Sequence, residues 1–351
     1  MSRTILLALL LVSSAGAQGG GSADPGCRSP DVGWDVLGDV GGRATLDQWC
    51  RTVGPPAVQA AKPRPAEIRS IAIVSWNMHV GGGNVEGLIK KVRALNGMGG
   101  PDVGIVLLLQ EAFRSGPAVP ANYPRGIAVP NAIRSKRPTP DVMATAASLE
   151  TTLNVPMSAV YVPSMRNGSS VAPPAQPSEL EDRGNAVFST EPLSDIRAIE
   201  LPFGRQRRVA VMCTIHPRGA VKRPLRLVSL HLDTNGDRKA QAEALAQMLR
   251  PLAEGPIPTI AAGDLNSLWG RGDASFKAIN RVLQEEPCGT RPTNTWPARL
   301  DIVFGWWRGR IDFIFSTFGT LDRLGMKRTC QTLPDRSGSD HHPVVLGLQL
   351  H

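Results

Sequence analysis

The sequence lacks an apolar stretch long enough to cross a membrane. Its one long apolar run covers residues 5–12, whereas a membrane-spanning helix needs about 20 residues. The chain also lacks the extreme composition of a disordered or fibrous protein. Its 36 glycines and 30 prolines make up about 19% of 351 residues, below the roughly 25–30% typical of low-complexity chains. With 42% hydrophobic residues and no evident internal repeat, the sequence predicts a globular protein with a full-sized core.

Familiar metal and redox motifs are also missing. The five cysteines form no C-x-x-C pair, and none of the six histidines belongs to an H-E-x-x-H motif. These absences argue against a zinc site and against thiol redox chemistry.

The N-terminus has the pattern of an export signal. Arg3 precedes the apolar run, and Ala15-Gly16-Ala17 provides small residues for cleavage. We therefore predict a signal peptide at 1–17 and a secreted, periplasmic or extracellular protein; a buried N-terminal helix is the alternative. A Gly- and Pro-rich extension is expected over 18–66, and the main domain over 67–351, with a Pro-rich insertion at 114–180. The net charge of +9 is expected to attract polyanions such as nucleic acid or an anionic membrane surface.

In an exported chain, cysteines are expected to pair as disulfides. Cys27 and Cys50 share the N-terminal segment, and Cys288 and Cys330 flank a loop-rich stretch, so we predict these two bonds. The fifth, Cys213, lies inside an apolar run and is expected to be a buried core residue.

Hydrophobic periodicity predicts alternating strands and helices. Strands are expected at 71–76, 103–109, 186–189, 209–215, 225–232, 259–262, 311–315 and 344–350. Helices are expected at 84–95, 141–153, 238–250 and 273–283, with the third ended by Pro251. Long loops are expected in the rest of the insertion.

Polar residues with carboxylate, amide or imidazole side chains recur at the ends of these strands; most follow a strand, while Asp312, Asp340 and His341 lie at or just before the start of one. The set consists of Asn77, Glu111, His231, Asp264, Asn266, Asp312, Asp340 and His341. Each alone fits an ordinary turn, but their joint recurrence predicts one polar cluster at one rim of the sheets. Carboxylate and amide oxygens favour a hard cation, Mg²⁺ or Mn²⁺. Together with two histidines, such a cation is suited to phosphate ester hydrolysis.

At these residues the sequence resembles the endonuclease/exonuclease/phosphatase superfamily, which has the deoxyribonuclease I-like fold. The matching motifs are Trp76-Asn77, Gln110-Glu111, 184–189, 229–231, 263–266, 310–312 and 339–341, in family order. The resemblance implies an α+β fold, a four-layer α/β/β/α sandwich with two packed mixed sheets, and makes 67–351 the catalytic domain.

The resemblance also assigns roles. It implies metal ligation by Glu111, with Asn77 beside it and Asp340 nearby. Asp264 and Asn266 orient water and contact phosphate, His231 stabilises phosphoryl oxygens, and His341 with Asp312 forms the acid/base couple. Arg183 and Asn185 are expected at the substrate, and His342 is expected to be structural. Where an AP endonuclease has a second acid, this chain has His79.

The sequence is compatible with more than one class of substrate. A nuclease acting on DNA or RNA is favoured by the charge and by seven basic residues, Arg205, Arg207, Arg208, Arg218, Lys222, Arg223 and Arg226, which form either a nucleic-acid surface or an ordinary solvated one. A sphingomyelinase-like or inositol-phosphate enzyme is the alternative, with Trp306-Trp307 as its membrane contact. A non-catalytic binding module on the same scaffold is the third hypothesis. We expect no stable protein partner and a monomer.

Overall fold

The computed structural model describes residues 27–38, 43–63, 67–121, 141–167, 180–204, 206–218, 223–234, 237–267, 269–289 and 310–350. Fourteen strands in these residues form two seven-stranded sheets. The first sheet contains, in spatial order, β1 (Gly33–Val36), β7 (Leu193–Glu200), β8 (Val209–Ile215), β9 (Leu225–His231), β10 (Thr259–Asp264), β12 (Asp312–Ser316) and β11 (Gln284–Glu285). The second contains β13 (Lys327–Thr332), β14 (Val344–Gln349), β3 (Ser70–Asn77), β4 (Val103–Ser115), β6 (Glu181–Ser189), β5 (Ser158–Asn167) and β2 (Ala57–Gln59).

Six α-helices accompany the sheets in the described residues. They are α1 (Arg43–Cys50), α2 (Val85–Arg93), α3 (Val142–Leu153), α4 (Arg238–Ala253), α5 (Ala274–Asn280) and α6 (Phe318–Arg323). Side-chain caps define three of the starts: Asn84, Asp141 and Asp273 each accept a backbone N–H from the first turn. None of the described helices is long and apolar enough to span a membrane.

The central strands bury both faces, and this places the sheets between two helical layers. In β3, Ile71 and Ile73 pack into the core between the sheets, while Ala72 and Val74 pack into the core shared with α2 and α3. A third core joins the other sheet to α4 and α5. Since successive strand residues face opposite sides, such a two-sided strand has an uninterrupted apolar run, here residues 71–74. The predicted four-layer sandwich of two mixed sheets is confirmed.

Two local predictions need correction. Helix α4 does not end at Pro251 but continues to Ala253, because less than one further turn follows the proline and Glu254 N–H closes the end on Arg250 O. The expected loops over 114–180 contain β5, a buried strand between β6 and the edge strand β2, where Tyr161 pairs with Ala186. The prolines that obscured the strand include Pro163, which lies at a register shift of the β5–β6 pair.

The N-terminal segment contributes an edge strand to each sheet. Strand β1 runs parallel to β7, and β2 pairs with β5. The predicted disulfides Cys27–Cys50 and Cys288–Cys330 are both present, and Cys213 is a buried free thiol, as expected. The predicted signal peptide and Trp306-Trp307 lie outside the described residues.

Candidate active site at the rim of the two sheets

Strand register brings the polar strand ends together. In the parallel pair β9–β10, His231 is the partner of Asp264, and in the antiparallel pair β10–β12, Asp264 is the partner of Asp312. Gly263 permits the close approach of β9, because a Cβ at this residue would lie 1.8 Å from the carbonyl oxygen of Leu230. The first sheet therefore delivers two carboxylates and an imidazole to one rim.

The second sheet delivers Asn77 and Glu111 to the same rim. Asn77 pairs with Gln110 in the parallel β3–β4 ladder. The β4–β6 ladder shifts register between Leu109 and Ala112, and Glu111 has a left-handed φ of 51° there. Such a bulge re-aims a side chain that the regular pleat would place elsewhere. We interpret the bulge as the feature that turns Glu111 into the small cavity that it lines.

Hydrogen bonds across the rim hold the two sheets in register. Gln110 Nε2 donates to Ser229 Oγ at 3.2 Å, and Asn77 Nδ2 donates to Asp264 Oδ2 at 3.0 Å. On the neighbouring loop, Ser339 Oγ donates to Asn77 O at 2.6 Å and thereby fixes the residue before Asp340. The site is thus built across the sandwich and depends on both halves.

Asp264 is the centre of the cluster. Its Oδ2 lies 3.0 Å from Asn77 Nδ2, 3.5 Å from His231 Nε2 and 3.8 Å from His341 Nε2. Burial and the nearby Asp312 carboxylate raise the pKa of Asp264 to about 7, against the lowering effect of His341 and of hydrogen bonds from Asn266 and Asn77. A carboxylate with a pKa near neutrality is suited to accepting a proton during turnover.

His341 has a carboxylate behind its ring. Its Nδ1 lies 2.8 Å from Asp312 Oδ2, so Nδ1 carries the proton and the carboxylate accepts. Burial alone would lower the pKa of His341, but Asp312, Asp264 and Asp340 together raise it to about 10. The imidazole is therefore held in its charged form.

His231 has a guanidinium behind its ring instead. Nη1 of the buried Arg208 lies 3.1 Å from His231 Nδ1. Because arginine can only donate, Nδ1 accepts and the proton sits on Nε2, facing Asp264. Burial, Arg208 and Arg183 hold the pKa of His231 well below its usual value. The two histidines thus have partners of opposite charge and different protonation states.

The predicted substrate residues surround the same cavity, which is lined by Glu111, Ser164, Met165, Arg183, Gly184, Asn185, Arg208 and His231. Nη1 of Arg183 is buried and has no hydrogen-bond partner among the described residues. Asn185 donates from Nδ2 to Val209 O at 2.8 Å. Asn266 donates from its backbone N–H to Asp264 Oδ1 at 2.8 Å and from Nδ2 to Leu232 O at 2.9 Å.

Two groups of residues could hold a cation. Asp264, Asp312 and His341 bring three ligand atoms within 4.8 Å of one another. The oxygens of Asn77, Glu111 and Asp340 form the second, predicted group. Asn77 ends β3, Glu111 lies at the bulge within β4, and Asp340 lies on the loop anchored by Ser339. Carboxylate and amide oxygens fit a hard divalent cation.

The sequence that forms this site matches the model of a known protein family. Residues 74–341 match the model of the Endonuclease/Exonuclease/phosphatase family. The chain belongs to this family. The match spans the strand ends from β3 to the loop before β14, so it includes every residue at the centre of the site.

Solved structures of two family members share the fold. An endonuclease/exonuclease/phosphatase from Beutenbergia cavernae DSM 12333 is 21% identical with a TM-score of 0.51, over 80% of this chain and 72% of that one. A family protein from Leptotrichia buccalis C-1013-b is 14% identical with a TM-score of 0.52, over 80% of this chain and 99% of that one. No curated protein gives a significant match to the chain. The predicted resemblance and fold are confirmed.

Sequence reasoning missed two residues of the site. The sequence predicts Arg208 as part of a basic surface, but Arg208 is buried against His231, and its neighbour Arg207 is buried in an ion pair with Glu200 at 2.8 Å. The expectation of a single exposed basic stretch is wrong for these two arginines. The available signal is their position directly before the mostly apolar strand β8, which is buried along its whole length. His79 was noted only as a departure from a related pattern, yet its Nδ1 lies 3.2 Å from Asp340 Oδ1.

Proposed function

We propose that this protein is a secreted phosphodiesterase that hydrolyses nucleic acid with the help of a divalent cation. The observation that carries the proposal is the pair of histidines at Asp264, one backed by Asp312 and the other by Arg208. Hydrolysis of a phosphodiester needs a proton donor for the leaving oxygen and neutral or cationic donors for the phosphoryl oxygens. This pair of histidines supplies one group of each kind.

In the proposed mechanism, Asp264 orients the attacking water and accepts its proton. Nε2–H of His231 and the free Nη1 of Arg183 donate to the phosphoryl oxygens as negative charge develops on them. The His341 imidazolium, held by Asp312, donates its Nε2 proton to the leaving oxygen. Because the water and the leaving group lie on opposite sides of phosphorus, the proton acceptor and the proton donor are distinct groups.

The cation would be held by Glu111, Asn77 and Asp340. A Mg²⁺ or Mn²⁺ ion at these oxygens would supply neutralisation of the negatively charged phosphoryl group. Asn77 also binds Asp264 through its amide nitrogen, so its side chain links the proposed ion to the residue that orients water. His79, at Asp340, is positioned to orient that carboxylate.

Charge and surface chemistry favour nucleic acid over a lipid as the substrate. The chain has 39 basic and 30 acidic residues, and a polyanion is attracted to such an excess. A lipid-acting enzyme needs an apolar surface to enter a bilayer. Among the described residues, the exposed large hydrophobic side chains are Val36 and Trp269, and the predicted membrane contact Trp306-Trp307 lies outside these residues.

Secretion is supported by two disulfides and by the export signal predicted at 1–17. Disulfides persist in oxidising compartments and are rare in the cytosol. Intact-mass analysis of the protein recovered outside the cytosol tests this part: we expect the chain to begin near Gln18, and an uncleaved N-terminus would contradict it.

A substrate panel tests the reaction. Supercoiled DNA, single-stranded DNA, RNA, sphingomyelin vesicles and an inositol phosphate are incubated with the enzyme and Mg²⁺, and again with excess EDTA. We expect nucleic-acid cleavage that EDTA abolishes and that Asp264→Ala and His341→Ala each reduce by at least about 100-fold. His216→Ala is the matched control, because His216 is exposed at the opposite end of the β8–β9 hairpin from His231. Turnover of lipid without nucleic acid would reverse the substrate assignment, and binding without turnover would favour a non-catalytic module.

A further inference from the structure

Trp269 has an unusual position among the described residues. Its surface is 68% exposed, and Val36 is the other large hydrophobic side chain exposed there. Single exposed apolar residues are common on proteins, so exposure alone says little. The position of Trp269 is more informative, because it follows the catalytic candidate Asn266 by three residues.

The backbone holds Trp269 at the rim of the active site. Three residues of extended chain span at most about 11 Å, so the tryptophan backbone cannot be farther than this from Asn266. Gly270 N–H donates to Ser267 O at 2.8 Å, which closes a tight turn around Trp269. A short 3₁₀ helix, Gly270–Gly272, follows directly.

The turn is packed against the other strand that reaches the site. A Cβ at Gly270, whose φ is 54°, would lie 3.4 Å from the carbonyl oxygen of Arg310, two residues before Asp312. Arg310 is itself buried and donates from Nη1 to Gly289 O at 2.7 Å. The indole is thus carried on a turn packed against the chain that leads to Asp312.

We propose that Trp269 contacts the substrate by stacking on an unpaired base of a nucleic-acid strand bound at the site. The inference rests on the proposed nuclease function and deepens it. Neighbouring bases of a strand lie about 3.4 Å apart, so a base within a few nucleotides of the scissile phosphate reaches the indole. A base in a duplex already has its faces covered by its neighbours, and Trp269 therefore favours single-stranded substrate over duplex.

The exposed indole of Trp269 matches a base better than it matches a lipid. Stacking needs one flat aromatic surface, whereas insertion into a bilayer needs a larger apolar area than a single side chain offers. Arg271, which is half exposed two residues further on, is paired with Glu285 at 2.6 Å. The stacking contact is thus expected to add affinity without adding a free positive charge.

The experiment measures KM and kcat in Mg²⁺ for Trp269→Ala, Trp269→Phe and the wild-type enzyme. The substrates are a single-stranded DNA oligonucleotide and a matched strand with abasic sites around the cleavage position. We expect Trp269→Ala to raise KM for the base-containing strand by about 5- to 150-fold, the range for loss of one stacked base, with little change in kcat. Trp269→Phe is expected to recover much of the loss, and the abasic strand to give the same KM with all three enzymes.

Val36→Ala is the matched control, since it removes the other exposed large hydrophobic side chain and lies on the edge strand β1. An unchanged KM in Trp269→Ala, or an equal rise on the abasic strand, would overturn the stacking role. So would a loss confined to binding of sphingomyelin vesicles. Failure of the wild-type enzyme to cleave any nucleic acid would instead refute the proposed nuclease function, and the two failures are therefore distinguishable.

Discussion

Replacing Asp312 by asparagine tests the protonation state assigned to His341. The carboxylate lies 2.8 Å from His341 Nδ1, and it is the strongest of the charges that raise the pKa of that imidazole to about 10. An opposite charge at this distance shifts a pKa by about 1–3 pH units. Asparagine keeps the shape and a hydrogen-bond acceptor but removes the charge, so burial then pulls the pKa of His341 down.

The sign of the effect on activity follows from the proposed role. If the imidazolium donates the proton, activity is lost as pH rises through the pKa of His341. The alkaline limb of kcat/KM against pH should therefore move toward lower pH by about 1–3 units in Asp312→Asn, while the maximal rate falls by about 100- to 10,000-fold.

The assay is the initial rate of oligonucleotide cleavage from pH 5 to 10.5 at saturating Mg²⁺. Asp335→Asn is the control, because Asp335 is an exposed acid that binds Lys91 rather than a histidine. Its alkaline limb should match that of the wild-type enzyme. Higher activity of Asp312→Asn at neutral pH would refute the reasoning, since it would mean that His341 acts as a base that Asp312 keeps protonated.

Three further predictions concern a buried ion pair, the proposed metal ligand Glu111 and the buried thiol of Cys213. Asp182 binds Arg114 at 2.6 Å in the core, so Asp182→Asn should lower the free energy of unfolding in urea by about 3–5 kcal/mol. The control is Asp35→Asn, at a partly exposed ion pair with Arg197, which should change the free energy of unfolding by less than about 1 kcal/mol. Equal losses in the two variants would contradict this prediction. Glu111→Gln should weaken Mg²⁺ binding, measured by calorimetry, by at least about 10-fold. The thermal unfolding midpoint should change by no more than a few degrees. An unchanged Mg²⁺ affinity would exclude Glu111 as a ligand. Burial raises the pKa of Cys213 to about 12. The thiol should therefore resist a disulfide reagent at pH 8 in the native protein and react after unfolding. A rapid reaction in the native protein would show that β8 opens.

Most of the fold was predictable because the sheets are buried on both faces. Continuous apolar runs such as 103–109 and 209–215 stand out from their surroundings, and the polar residue that ends each run marks the rim. The strands that escaped prediction lack this signal. In β13, exposed and half-buried residues alternate along an edge, and β5 contains a proline at a register shift.

The residues of the site were predictable from the sequence, but the charged partner of each histidine was not. Asn77, Glu111 and Asp264 follow apolar runs in the sequence and can therefore be recognised from the sequence alone. The partner of each histidine comes from elsewhere in the chain: Asp312 lies 29 residues from His341, and Arg208 lies 23 residues from His231. Such pairings depend on strand register, which periodicity does not determine.

The difference between Arg207 and Arg208 shows how closely site and fold are connected. The two residues are adjacent in sequence, yet Arg207 binds Glu200 and the carbonyl oxygens of Pro163 and Ser164, while Arg208 turns toward His231. Since Arg207 fixes the backbone immediately before Arg208, the buried ion pair also determines where the second guanidinium lies. A substitution at Glu200 should therefore weaken catalysis as well as stability, because both oxygens of the Glu200 carboxylate accept hydrogen bonds from Arg207.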